Sequence, residues 1–217
     1  MKKTALSLSM AAAVALANLW CASAAHAATQ PTKVIAFTAE APTQTLTTRY
    51  KGWRDPAFGD MGWTHFSSWG SFEATKGQMV TITVNSTDSA DLHPGLSVWY
   101  RDSEKDTAPD TYVQDHFYAQ NAPQFVSGAK DETTGETVGN IVMRIAAWGY
   151  DADGIKGARL PGLNGKRNGT PGQLVLKFKA KNTGVFNFVV GGVLPGAGII
   201  NNAPSTVYNL ETTVTVE

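Results

Sequence analysis

Short segments in which apolar and polar residues alternate recur along the chain, and they constrain its fold more than any other feature. The clearest is Gln173–Lys179, with the sequence QLVLKFK. A period of two residues is typical of β-strands that bury one face, and long stretches with a helical period are absent. Further segments that we expect to be strands are 33–37, 79–84, 95–100, 141–147, 185–190 and 206–216.

The segments between these candidate strands are rich in residues that favour turns. Glycine, proline and asparagine are frequent in 160–172, and the glycine-rich stretch 191–198 is predicted to be a hairpin loop. The interval 101–137 is polar and lacks a clear period, which predicts a long loop with a short helix at most. Together these features predict an all-β fold: an antiparallel β-sandwich with long loops and at most short helices.

The N-terminal residues have the features of a secretory signal peptide. Lys2 and Lys3 precede the mostly apolar stretch 4–20, and Ala25-His26-Ala27 supplies the small residues of a cleavage site. We therefore expect residues 1–27 to be removed and 28–217 to form a single domain. No later apolar run is long enough to span a bilayer. The mature protein is predicted to be secreted or held at the cell surface in association with the outer membrane, with the periplasm as a further option.

The composition of the mature chain excludes several classes of site and partner. Cys21, the only cysteine, lies in the signal, so the mature chain has neither disulfides nor thiolate ligands. Lysines and arginines total 18, as do aspartates and glutamates, and the signal removes two lysines. The resulting near-neutral charge argues against nucleic acid or an anionic membrane as the main partner.

His65, His93 and His116 are the histidines that remain after signal cleavage. In an extended chain, Trp63 and His65 lie on the same side, because side chains alternate between the two faces of a strand. His116 lies in the polar interval, and His93 precedes Pro94, which favours extended geometry. Each imidazole could be an ordinary structural group or a metal ligand.

Metal ions remain the chemistry that these residues fit best. Imidazoles without thiolates favour copper over zinc, and no H-E-x-x-H helix is present. Asp151 and Asp153 alternate before Gly154, as carboxylates do in part of a calcium loop, although an ordinary Asp-Gly turn is the simpler interpretation. No Gly-x-Ser-x-Gly elbow or other hydrolase pattern occurs, and we expect the protein not to be an enzyme.

Three phrases in the chain resemble the family of copper-repressible surface proteins of methanotrophic bacteria that includes CorA and MopE, which is unrelated to the magnesium transporter. The resemblance to CorA covers most of the mature chain, whereas MopE matches only as the core of a longer protein. The phrases are Gly59-Asp60-Met61-Gly62-Trp63-Thr64-His65, Trp69-Gly70-Ser71-Phe72, and Leu92-His93-Pro94-Gly95-Leu96-Ser97-Val98-Trp99-Tyr100-Arg101.

This resemblance implies a copper ion, Cu(I), held by two histidines and by kynurenine, an oxidation product of tryptophan. Trp63 would be the precursor of kynurenine, with Trp69 as the alternative oxidised residue. His65 would be the first imidazole ligand, and the second would be His116 in preference to His93. Opening the indole ring frees an aryl amine, which can bind soft copper beside imidazoles.

The resemblance further implies a copper-binding protein that serves copper acquisition at the cell surface, together with other surface or outer-membrane components of copper uptake. One alternative is a secreted β-sandwich module, independent of metal or assisted by calcium, that binds carbohydrate or protein. Trp53, Trp99 and Trp148 could then form a platform for sugars. A copper oxidase is a third interpretation, and no partner site for electron transfer supports it.

Overall fold

The computed structural model describes most of the chain after the predicted signal peptide. The described residues are 34–49, 54–55, 60–61, 67–89, 91–102, 104–113, 124–131, 133–155, 164–193 and 206–217. Signal residues 1–27, together with Trp53, Trp63, His65 and His116, lie outside these ranges. Within them the secondary structure is β-strand, and there is no helix that could cross a bilayer.

Thirteen strands make up the described part of the fold. In chain order they are β1 (Val34–Ala36), β2 (Thr43–Arg49), β3 (Arg54–Asp55), β4 (Asp60–Met61), β5 (Ser68–Ala74), β6 (Met79–Ser86), β7 (His93–Arg101), β8 (Gln124–Lys130), β9 (Thr137–Asp151), β10 (Gly165–Lys166), β11 (Gln173–Lys179), β12 (Gly184–Val193) and β13 (Val207–Val216).

The strands form two main sheets. A seven-stranded sheet has the order β1-β5-β12-β7-β9-β10, with β8 also paired to β9. A four-stranded sheet has the order β11-β6-β13-β2, and β3 pairs with β4 separately. Most neighbours are antiparallel, whereas β1 with β5 and β10 with β9 are parallel. This arrangement confirms the prediction of an all-β, mostly antiparallel sandwich.

The main hydrophobic core lies between the two sheets. Alternate residues of each strand point into it, as the two-residue period predicts. From the four-stranded sheet come Leu46, Val80, Ile82, Val84, Leu174, Leu176, Leu210 and Val214, and from the seven-stranded sheet come Phe72, Leu96, Val98, Phe186, Phe188 and Val190. Phe72 and Phe186 stack with their ring centroids 5.3 Å apart.

A second cluster covers the opposite face of the seven-stranded sheet, which we call the second face. Trp69 and Trp99 meet there with ring centroids 5.5 Å apart, and Ala108 and Val113 from the segment after β7 pack beside them. The side chains on both faces of β7 are buried, apart from Tyr100, which is half-buried. Trp99 is therefore a core residue, and its proposed place in an exposed sugar platform is wrong.

The outer face of the four-stranded sheet is rich in threonine. Thr43 lies opposite Thr213, which lies opposite Thr83, and Thr215 lies opposite Thr81. The hydroxyls of Thr43 and Thr213 are 2.9 Å apart. β-branched threonines suit a pleated, half-exposed surface. The polar residues that alternate with the core residues in these strands therefore form the outer face of this sheet.

Two predictions about irregular segments were wrong. The interval 101–137 contains β8, and its described residues include no helix. Gly128, with a φ of 60°, interrupts the pairing of β8 with β9, which is why no regular period marks this strand in the sequence. Residues 191–193 of the predicted hairpin loop belong instead to β12, where Gly191 pairs with Gly95 of β7, whereas residues 194–198 lie outside the described ranges and the prediction stays untested there.

We expect the substitution Gly70→Ala to destabilise the protein by about 1–3 kcal/mol, because an added Cβ would overlap the ring of Phe188. Urea unfolding measures the free-energy change. The double variant Gly70→Ala/Phe188→Leu should lose less stability than the two single changes added together, since the smaller side chain relieves the overlap. Simple additivity of the two changes would contradict this account of the contact.

Candidate functional site

Several candidate residues meet at one end of the seven-stranded sheet. β5 and β7 both begin there, and β12 and β9 both end there, because each runs antiparallel to its neighbour. The register places Ser68 opposite Val190, and Val193 opposite His93. We call this end, at Ser68, His93, Asp151 and Val193, the site end of the sheet.

His93 is the first residue of β7 and is held beside an acidic side chain. Its Nδ1 atom lies 2.8 Å from Oδ2 of Asp151 at the end of β9, and only 6% of the histidine is exposed. Nδ1 makes no hydrogen bond with a described residue, so the contact is one of proximity. A carboxylate beside one imidazole nitrogen fixes the orientation of the ring, as it does behind many metal-bound histidines.

Asp151 and Asp153 organise the loop that follows β10. Asp151 accepts hydrogen bonds from the backbone N–H groups of Asp153 at 2.8 Å and Gly172 at 2.7 Å. One oxygen of Asp153 accepts three more, from the N–H groups of Asn168, Gly169 and Thr170. No group of three or more acidic, histidine or cysteine side chains that could hold a metal occurs among the described residues. Calcium binding by these two aspartates therefore stays a prediction.

Beside His93, the second face combines small residues with a large aromatic one, Tyr150 of β9, which pairs with Gly95. Gly95 follows on the same face of β7, and Gly191 of β12 lies directly opposite it. Both glycines are buried. Ser97 comes next on this face and pairs with Trp148. The serine hydroxyl and the indole nitrogen are both buried, and neither has a hydrogen-bond partner among the described residues.

Trp69 is 1% exposed and lies on the second face of β5 against Trp99. Packing in the second cluster is a sufficient explanation for this indole. Its oxidation stays an alternative prediction.

Trp63 and His65 lie outside the described residues, just before Ser67 and β5. His116 also lies outside them, three positions after Val113. Trp69 and Val113, which are close to these residues in the sequence, share the second cluster.

Two contacts that could not be predicted from the sequence hold the segment 104–113. Arg101, 3% exposed at the end of β7, forms a bidentate ion pair with Asp106. The hydroxyl of Tyr112 donates a hydrogen bond of 2.7 Å to Oδ2 of Asp131, at the end of β8. This hydrogen bond is the largest cause that lowers the pKa of Asp131 below 3.8, and it raises the pKa of Tyr112 above 10.0.

The family model described as "Copper(I)-binding protein CorA-like" matches residues 24–199. The chain belongs to this family. The resemblance based on the three sequence phrases is thereby confirmed.

Two solved structures of CorA-like proteins are similar to this chain. CorA of Methylomicrobium album BG8, described as a surface-associated copper-binding protein important in copper acquisition, has a TM-score of 0.73 and 29% identity. The comparison covers 87% of this chain and 100% of that one. MopE is a secreted protein of Methylococcus capsulatus in which an oxidised tryptophan facilitates copper binding, and its structure has a TM-score of 0.51. That comparison covers 87% of this chain and 100% of the MopE chain. At 16% identity, MopE supports the fold alone. No curated protein matches the chain significantly.

The Tyr112–Asp131 contact predicts a loss of stability in acid. A carboxylate whose folded pKa is lowered stabilises the fold above its unfolded pKa, here near 3.8, and this contribution is lost as the pH falls toward the folded pKa. Tyr112→Phe should raise the pKa of Asp131 toward 3.8 and weaken this dependence. An NMR titration of the Asp131 carboxyl carbon measures the shift, and an unchanged pKa in the variant would contradict the assigned cause.

Proposed function

We propose that this protein is exported, binds copper and serves copper acquisition without catalysing a reaction. The observation that carries the proposal is the family match together with the full coverage of CorA, which is itself described as important in copper acquisition. The predicted signal peptide is consistent with a location at the cell surface or outside the cell. Other surface or outer-membrane components of copper uptake would be its partners.

The proposed ligands of Cu(I) are His65, His116 and a kynurenine formed from Trp63. Trp69, four positions after His65 in the sequence, and Val113, three positions before His116, share one hydrophobic cluster, which supports the proposal. Imidazole and aryl amine donors without thiolates fit a soft ion of low coordination number.

His93 is the less favoured second imidazole in this proposal. Its buried ring already has Nδ1 beside Asp151, which in turn holds the N–H group of Gly172. A structural role is a sufficient explanation for this histidine, because its contact with Asp151 joins the start of β7 to the end of β9 and to the following loop. The competing interpretation, a carbohydrate-binding module, loses support because Trp99 is buried and Trp148 is half-buried.

The ligand assignment predicts that His65→Ala and His116→Ala each lower the amount of copper bound per protein, because each removes an imidazole donor. Metal analysis of purified protein after exposure to Cu(I) measures the ratio. His93→Ala, tested in parallel, should retain copper even if it destabilises the fold. Full copper occupancy in both His65→Ala and His116→Ala would contradict the proposed ligand assignment.

The kynurenine assignment predicts a covalent change in protein isolated from its native source. Intact-mass and peptide analysis should show that residue 63 has lost a carbon atom and gained an oxygen atom, with the absorbance of an aryl ketone. The mass change should disappear in Trp63→Phe and persist in Trp69→Phe. An unmodified Trp63 in copper-loaded native protein would reject kynurenine as a ligand and leave copper binding by the histidines open to the metal analysis.

A further inference from the structure

A cleft with a volume of about 580 Å³ lies along the edge of the seven-stranded sheet, at the end opposite the site end. β5 ends there at Ala74, and β12 begins there at Gly184. The cleft is lined by residues of β5, of the segment that follows β1, and of the last part of β13, all within the described part of the chain. We call this cleft the edge groove.

The edge groove coincides with a stretch of sheet edge that β1 is too short to cover. β1 pairs with residues 69–71 of β5, and the last hydrogen bond between them runs from the N–H of Phe37 to the carbonyl oxygen of Ser71, at 2.8 Å. Because the backbone groups of alternate residues in a strand point to the same side, those of Glu73 face the same edge. Among the described residues they have no backbone partner there. Such an edge is a template for another extended chain.

The wall of the groove on the side of the main core is apolar. It is formed by Phe37, Phe72, Val214 and Val216, which belong to the main core or pack against it. Three of these four side chains are buried and Val216 is half-buried, so the wall is a fixed part of the fold. An apolar side chain of a bound chain would be removed from water against it.

The wall on the side of the second face is polar and acidic. Ser71 and Glu73 alternate on this face of β5, and Asp110 of the segment 104–113 lies beside them. The carbonyl oxygen of Asp110 accepts a hydrogen bond of 3.2 Å from Nη1 of Arg101, which holds this residue against the sheet. Glu73 and Asp110 are exposed, and no lysine, arginine or histidine is among the described residues that line the groove. This wall is therefore complementary to positive charge.

We propose that the edge groove binds an extended peptide segment of a partner protein in which apolar residues alternate with lysine or arginine. The segment would pair with the backbone of Glu73 and so extend the sheet, a common mode of peptide recognition. Successive side chains of an added strand point to opposite faces. The apolar ones would then contact Phe72 and Val214, and the basic ones would lie near Glu73 and Asp110. The inference goes beyond the proposed function and does not depend on copper binding.

The probe is a fluorescein-labelled peptide of sequence KVKVKVK, whose binding to the mature protein is measured by fluorescence anisotropy. The peptide EVEVEVE tests the role of charge and should bind more weakly. Two further forms of the KVKVKVK peptide carry backbone N-methyl groups either on the valines or on the lysines. One of them should bind more weakly than the other, because only one set of N–H groups can face β5.

Glu73→Lys and Asp110→Lys should each weaken binding of the KVKVKVK peptide about 3- to 30-fold, because a repulsion replaces an attraction at an exposed site. Glu211→Lys is the matched control, since it makes the same change of charge on the outer face of the four-stranded sheet, where Glu211 is exposed. The control should bind the peptide as the parent protein does. Melting temperatures check that the variants are folded, and Glu73→Gln and Asp110→Asn replace any lysine variant that is not.

The inference fails if the KVKVKVK peptide does not bind, if the EVEVEVE peptide binds as well, or if Glu211→Lys weakens binding as much as Glu73→Lys does. Equal binding of the parent peptide and both N-methylated forms would contradict strand pairing. Analytical ultracentrifugation of the protein alone tests another occupant of the groove. A dimer that Glu73→Lys dissociates would assign the groove to a second copy of this chain and overturn the proposal.

Discussion

The seven-stranded sheet is buried on both faces, and most other features of the molecule depend on that constraint. One face is covered by the four-stranded sheet and the other by irregular segments. A sheet can cover another sheet by regular pairing of its own strands, whereas irregular chain has to satisfy its backbone polar groups by other means. The second face therefore carries both the large aromatic residues and the buried polar groups that hold these segments.

Two charged groups illustrate how that requirement is met. The guanidinium of Arg101 gathers carbonyl oxygens at one end of the second face, and the carboxylates of Asp151 and Asp153 gather N–H groups near the other. The first group supplies only donors and the second only acceptors, and each matches the backbone atoms that face it. Their positions at the ends of β7 and β9 leave the middle of the face to Trp69, Trp99 and Val189.

The alternation of apolar and polar residues was sufficient to predict the position of a strand with one exposed face. Gln173–Lys179 matches β11 residue for residue, because that strand lies at the edge of the four-stranded sheet. The sequence pattern did not predict β2, because threonine occupies buried as well as exposed positions in that strand. It did not predict β5 either, because Gly70 lies on the core face between Trp69 and Ser71. In both strands, contacts with neighbouring strands determine the structure more than the period of the sequence does.

The candidate site was only partly accessible from sequence for a related reason. Trp63 and His65 could be named because they lie in a phrase that resembles a family, and His116 because it is a histidine in a long polar interval. The contact of His93 with Asp151 joins residues 58 positions apart, and it follows from the register of two antiparallel strands. Asp151 drew attention as part of an acidic turn, and its proximity to an imidazole could not be inferred from local spacing. Arg101 is the last residue of an apolar strand, which gives no local sign that it organises the segment beyond it.

The threonine-rich outer face of the four-stranded sheet has a practical consequence for work on this molecule. It lies on the other side of the main core from Trp69 and Trp99, and Thr45 is exposed on it. A cysteine introduced at this position would be the single thiol of a mature chain that otherwise has none. A fluorophore or a solid support attached there would lie on the side of the molecule opposite the segments that cover the second face, and would leave those segments undisturbed.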